Sequence, residues 1–317
     1  MTNDHDDLHV VLGASGGTGS ALVEELLRRG HRVRAVSRSG KSPEGAEGMK
    51  ADVSTPGGAR AASAGAAVVY HAAQPDYTKW PERFPPMTDA VIEGAASAGA
   101  KLVFADNLYM YGSGASQPMT EETSQKAEGK KGRTRILMVG RLLDAHRSGR
   151  VRVTMGRASD YYGPRGTGTL AGETVFGAAA AGKTVRWPAS LNVPHQFNYL
   201  PDMARALVTL GEREEADGEV WHLPAAEPIM GRRFMDLVSE TVGRPVKTGV
   251  TSKTMLRAAG LFSPFLRELV ETSYQFEEPF AADASKYERT FGPFSPTPHE
   301  EAVARTVAWF RQRGGLE

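Results

Sequence analysis

Short apolar runs alternate with amphipathic stretches along the first half of the chain. The runs HVVLGA (9–14), RVRAVS (32–37), EGMKAD (47–52), AAVVYHA (66–72), KLVFAD (101–106) and VRVTMGR (151–157) read as strands. Between them, SALVEELLRRG (20–30) carries valine and leucines on one face and stops at Gly30, a helix-ending signal. MTDAVIEGAASAGA (87–100) and RTRILMVGRLLDAHRSG (133–149) read as helices in the same way. Strands alternating with helices predict an α/β fold, a doubly wound parallel sheet of the Rossmann type. The pattern loosens after Gly163. HQFNYL (195–200) and EVWHL (219–223) read as strands returning to that sheet, and a last helix is expected from about Glu300 to Arg313. The expected organisation is a nucleotide-binding domain over 1–164 and a mainly substrate-binding region over 165–317, with segments near 195–223 rejoining the sheet. QPMTEETSQKAEGKKGR (117–133) is polar and predicts a surface loop.

Composition narrows the chemistry. The chain has 317 residues, 40% hydrophobic and 24% charged, enough for a full core. The absence of cysteine excludes disulfides, thiolate metal sites and a cysteine nucleophile. A formal net charge of +1 gives no global field to draw nucleic acid or an anionic membrane. The start, MTNDHDDLH, is acidic and polar, unlike a secretory signal. No run approaches the ~20 apolar residues of a membrane span. A soluble, cytoplasmic protein acting on a small molecule is expected.

GASGGTG (13–19) follows the first strand and opens the first helix. Gly13, Gly16 and Gly19 suit a tight turn that lets backbone amides approach a pyrophosphate, with Ser15, Gly17 and Thr18 beside it. The strand–turn–helix context is what separates this motif from a chance glycine spacing. GAAAAGKT (177–184) formally matches a P-loop, but a helical run precedes it and an extended segment follows, the reverse of what a P-loop needs. An NAD site usually places a carboxylate about 20 residues after the glycines, on the ribose 2′-hydroxyl. This chain has Ser37 and Arg38 there. A guanidinium binds a 2′-phosphate that a carboxylate would repel, so NADP(H) is the expected cofactor. Asp52, after the third strand, is placed to meet the adenine.

These motifs are joined in order by DVST (52–55), VVYHAA (68–73), NLYMYG (107–112), GRASDYYGP (156–164) and NYLPDMARAL (198–207). Over about residues 9 to 225 the chain resembles the extended short-chain dehydrogenase/reductases, which include the nucleotide-sugar epimerases. The resemblance implies that Val53, His71, Ala72, Ala73, Ala158 and Ser159 border the cofactor. It also implies a serine or threonine after the fifth strand, then a tyrosine and a lysine four apart on the next helix. The tyrosine is the family's acid–base group, and the lysine lowers its pKa. Here Asn107 stands four residues before Tyr111, where the serine belongs, and the helix read at 133–149 holds neither tyrosine nor lysine. Tyr-x-x-x-Lys occurs nowhere in the chain. In lacking it the chain is similar to the tyrosine-less ketoreductases of angucyclinone biosynthesis.

Asn107 and Tyr109 are therefore the expected catalytic residues, the first as hydrogen-bond donor to a developing oxyanion. Tyr161, Tyr162 and His195 are expected to border substrate. Histidines 71, 195 and 222 show no metal-ligand spacing. The function expected first is NADPH-dependent reduction of a ketone, such as an aromatic polyketide, without the usual couple. The alternatives are a nucleotide-sugar epimerase or dehydratase and a non-catalytic NADP-binding sensor.

Overall fold

A computed structural model describes residues 7–314. The strands are β1 (Leu8–Leu12), β2 (Arg32–Ser37), β3 (Glu47–Lys50), β4 (Ala66–His71), β5 (Lys101–Asp106), β6 (Val153–Arg157), β7 (Asp160–Tyr162), β8 (Val185–Pro188), β9 (Pro194–His195), β10 (Phe197–Tyr199), β11 (Val220–His222), β12 (Ile229–Met230) and β13 (Thr248–Thr251). The helices are α1 (Gly17–Arg28), α2 (Pro56–Ser63), α3 (Trp80–Ala98), α4 (Lys130–Arg147), α5 (Ala178–Ala180), α6 (Leu200–Glu212), α7 (Gly231–Val242), α8 (Lys253–Gly260), α9 (Pro264–Thr272), α10 (Ser285–Phe291) and α11 (His299–Gly314). Seven strands form one parallel sheet in the order β11-β6-β5-β4-β1-β2-β3.

All five residues of β1 are buried, as a central parallel strand covered on both faces requires. Its side chains alternate between two cores. Val10 and Leu12 join Phe84, Val91, Phe104, Met138 and Leu142 beneath α3 and α4. Val11 joins Leu22, Leu26, Met203 and Leu207 beneath α1 and α6. A third core lies outside the sheet and gathers Phe176, Trp187, Phe197, Phe234 and Phe310.

The expected fold class is the observed one, but three elements differ from the sequence reading. First, 194–199 does not return to the main sheet. β9 pairs antiparallel with β12 and β10 pairs with β7, because Phe197 and Tyr199 are claimed by the third core. Only β11 rejoins the large sheet. Second, α3 starts at Trp80 and runs through Pro85 and Pro86, anchored by buried Trp80 and Phe84. Third, α4 starts at Lys130, inside the segment read as loop, and so includes Lys130 and Lys131. In the rest of that segment Met119 is fully buried and bridges Ala282. At 177–184, Gly182 ends a short helical run with φ +70° and β8 follows, so no strand leads into this glycine segment and no helix follows it. Among the described residues, no helix is long and apolar enough to cross a membrane.

Candidate cofactor cleft and active site

The glycine turn is built by backbone constraint. Gly13 has φ +85°, and a Cβ there would lie 2.7 Å from the backbone of Ala73, two residues past the end of β4. The amides of Gly13 and Ala14 both donate to the Val36 carbonyl at 3.0 Å, locking the turn to β2. A Cβ on Gly19 would run into the Gly13 carbonyl oxygen, so glycine lets α1 seat against the turn. A Cβ on Gly16 would meet nothing closer than 3.5 Å. Gly16 caps α1 with no side-chain hydrogen bond, and the first turn of the helix carries no acidic residue. The free N–H groups and positive end of α1 therefore face outward, a fit for a pyrophosphate.

From this turn a cleft of about 420 Å³ runs along the carboxyl ends of the strands. Ser15, Gly16, Gly17 and Thr18 line its middle, with Ala72 and Ala73 opposite. Ser37, Arg38, Asp52 and Val53 line the outer end. The buried Ser37 Oγ accepts the Gly40 N–H at 3.0 Å, while Arg38 is exposed at the mouth. One Asp52 oxygen accepts from the Ser54 hydroxyl at 2.6 Å and from its N–H at 3.0 Å. These bonds, and then nearby Arg38, hold the Asp52 carboxyl below its usual range.

Several expected residues lie behind the wall. His71 is buried between Phe84 and Phe104 with neither ring nitrogen bonded. Burial, then the Arg135 guanidinium, pull its pKa to about 3, so it is neutral. Ala158 and Ser159 are buried short of the cleft, and the Ser159 N–H donates to Asn198 at 2.9 Å. Tyr161 does reach the cleft, and its hydroxyl lies beside Thr18. Tyr162, one residue on, points into the third core between Phe176 and Phe234, as the alternation of an extended strand requires. His195 is enclosed, with Nε2 3.1 Å from Asp160, Nδ1 3.0 Å from the Gln275 carbonyl oxygen, and its ring stacked on Phe276. Neither Tyr162 nor His195 borders the cleft.

At the inner end, Asn107 lines the cleft and accepts the Tyr109 N–H through its side-chain oxygen at 3.1 Å, leaving its NH₂ for a ligand. Tyr109 turns away from the cleft, beside Trp80 and the Tyr77 hydroxyl. Burial raises its pKa well above the usual phenol value, opposite to what a neutral-pH acid–base tyrosine needs. Arg135, missed in the sequence, takes a place in the wall. It is 4% exposed and donates to Asp106 at 3.2 Å. Lys131 and Arg135 stand four apart at the head of the helix after β5, the spacing of the absent couple. That coincidence is a signal the sequence offers, masked by the polar run in which the helix begins. Lys131 itself points away, fully buried, with Nζ 2.7 Å from Glu268 of α9 and bonded to the Tyr77 carbonyl.

Residues 9–223 match the profile of the NAD dependent epimerase/dehydratase family. The chain belongs to that family. No curated protein sequence matches it. Among solved structures it is similar to gox2253, at 23% identity and TM-score 0.77, over 98% of this chain and 99% of that one. It is also similar to DesIV, a dTDP-glucose 4,6-dehydratase from Streptomyces venezuelae solved with NAD and TYD, at 17% identity and TM-score 0.79, over 98% of each chain. A UDP-glucuronic acid 4-epimerase from Bacillus cereus with NAD shares 16% identity at TM-score 0.77, over 96% of this chain and 99% of that one. At these identities the likeness is one of fold. The chain carries the glycine turn GASGGTG and contains no Tyr-x-x-x-Lys sequence.

Proposed function

We propose that this member of the epimerase/dehydratase family is an NADPH-dependent reductase of a small-molecule ketone, acting without the tyrosine–lysine couple. The glycine turn and the N-terminus of α1 hold the pyrophosphate, and Ser37 and Arg38 hold the 2′-phosphate. When bound, the reduced nicotinamide supplies a hydride. The observation that carries the reading is the chemistry of the inner end. It offers an amide (Asn107), a guanidinium (Arg135) and a half-buried phenol (Tyr161) whose pKa desolvation raises. Asp106 is shared by Arg135 and Arg157, at 3.2 and 3.1 Å. Asp76 is exposed, toward the rim. Epimerases and dehydratases begin by oxidising a sugar hydroxyl, which needs a base to take its proton. A ketone reductase needs only donors that meet negative charge forming on oxygen, and Asn107 is such a donor. Phe84, Met87 and Tyr161 give that end an aromatic and apolar lining suited to a flat substrate. An aromatic polyketide with a phenol beside its ketone would also carry its own proton.

Stopped-flow mixing of the protein with NADPH and a panel of flat carbonyls, menadione and phenanthrenequinone among them, tests this. Loss of the nicotinamide absorbance band is expected. Tight NADPH binding with no turnover of any carbonyl would instead mark a non-catalytic sensor.

A further inference from the structure

Arg135 is held from three sides. Nη1 donates to Asp106, and the planar face lies 4.5 Å from the ring of Trp80 and 4.7 Å from that of Phe84. Asp106 is itself fixed by Arg157, which is fully buried and donates to the Tyr111 hydroxyl at 2.7 Å. One carboxylate thus serves two guanidiniums. The Arg135 Nε–H has no partner. An unmet donor on a desolvated cation is costly unless a ligand meets it. The Arg135 side chain contributes to the cleft wall together with Asn107 and Tyr161.

We infer that Arg135 is a catalytic residue whose guanidinium receives the substrate's carbonyl oxygen. The inference rests on the ketone-reductase reading and names a second donor for it. As hydride from NADPH, which is thereby oxidised to NADP+, reaches the carbonyl carbon, a C–H bond forms and the C–O π bond breaks. The electron pair moves to the oxygen, against the guanidinium and the Asn107 amide. The oxygen then takes a proton from water, and hydroxide leaves to solvent. Arginine stays protonated throughout, so it stabilises charge and transfers no proton. Its orientation is set before substrate arrives, by the carboxylate and the aromatic faces, so little reorganisation accompanies the reaction.

Two variants and two readouts test the assignment. With menadione and NADPH, Arg135→Ala is expected to lower kcat by about 100- to 1000-fold, the range for loss of one oxyanion donor. Guanidinium chloride should restore part of that rate where sodium chloride does not. Arg135→Lys keeps a cation for Asp106, so it folds if the alanine variant does not, and it should still be slowed. The Kd for NADPH should be unchanged in both. The second readout needs no turnover. Calorimetry with naphthoate, a flat anionic oxygen probe, in the presence of NADPH should show affinity lost by at least about tenfold in both variants. Wild-type kcat in the variants, or a loss confined to NADPH affinity, would overturn the assignment. A wild-type protein that binds naphthoate through Arg135 but reduces no carbonyl would keep the oxygen site and remove the ketone reading.

Discussion

Arg38 and Gly19 show the two ways in which single residues make this site. Arg38 places a positive charge at the exposed mouth, beside Ser37. Arg38→Glu should weaken NADPH by about tenfold or more, the worth of a hydrogen bond to a charged group, and should weaken NADH far less. Fluorescence titration with both nucleotides decides this, and equal weakening would show that Arg38 does not read the phosphate. Gly19 acts by having no side chain. A methyl group there would press on the Gly13 carbonyl, so Gly19→Ala should lower both the melting temperature and nucleotide affinity. Gly140→Ala is the control. A Cβ there meets nothing within 4 Å, and alanine in a helix interior should stabilise by about 0.5–1 kcal/mol. The cleft's middle and outer end were legible because glycine requirements and a charge at a strand end are local properties of sequence. The inner end was not. Arg135 matters because α3, β5 and β6 bring Trp80, Asp106 and Arg157 around it, and none of these is near it in sequence.

Elements were legible to the degree that burial made their pattern uniform. The central strands are continuous apolar runs and emerged within two residues of their bounds. β9 and β10 carry the same kind of signal, but apolarity does not say which core will claim a strand, and the third core claimed Phe197 and Tyr199. The head of α4 was lost for the opposite reason, since its lysines look like surface until a partner is known. That partner is α9. Besides the Lys131–Glu268 pair, the Lys131 N–H donates to Glu271 at 2.6 Å. Removing one member of a buried pair leaves the other uncompensated. Lys131→Met should therefore loosen α9 while leaving the large sheet intact. The exposed Arg257 and Arg267 of α8 and α9 then become early trypsin sites. Unchanged cleavage in this region would show that α9 is held by its other contacts.

Taken as a whole, the molecule stores neutral imidazoles at both ends of its strands, and this sets its tolerance of acid. His9 in β1, His71 in β4 and His222 in β11 each have a pKa lowered to about 3. Burial is the main cause in all three. His31 adds to it at His9, Arg135 at His71 and Arg157 at His222. In the unfolded chain these rings titrate near their ordinary value of about 6.5. Between pH 3 and 6.5 the unfolded state therefore binds more protons, and stability falls as pH falls through that window. Each ring contributes a slope of up to about 1.4 kcal/mol per pH unit once the unfolded ring is charged. The depressed carboxyls of Glu25, Asp52 and Asp283 act in the same direction, but only below about pH 4, where their unfolded counterparts protonate. Urea unfolding should then give one stability near pH 7.5 to 8 and a steep decline already under way at pH 5.5, before those three carboxyls contribute. His71→Phe should flatten the pH 5–6.5 limb, because it replaces an imidazole without hydrogen bonds between two phenyl rings with a group that never charges. A limb of wild-type slope in that variant would mean that His71 is solvated or partnered in solution, and that its neutrality is not what the acid limb measures.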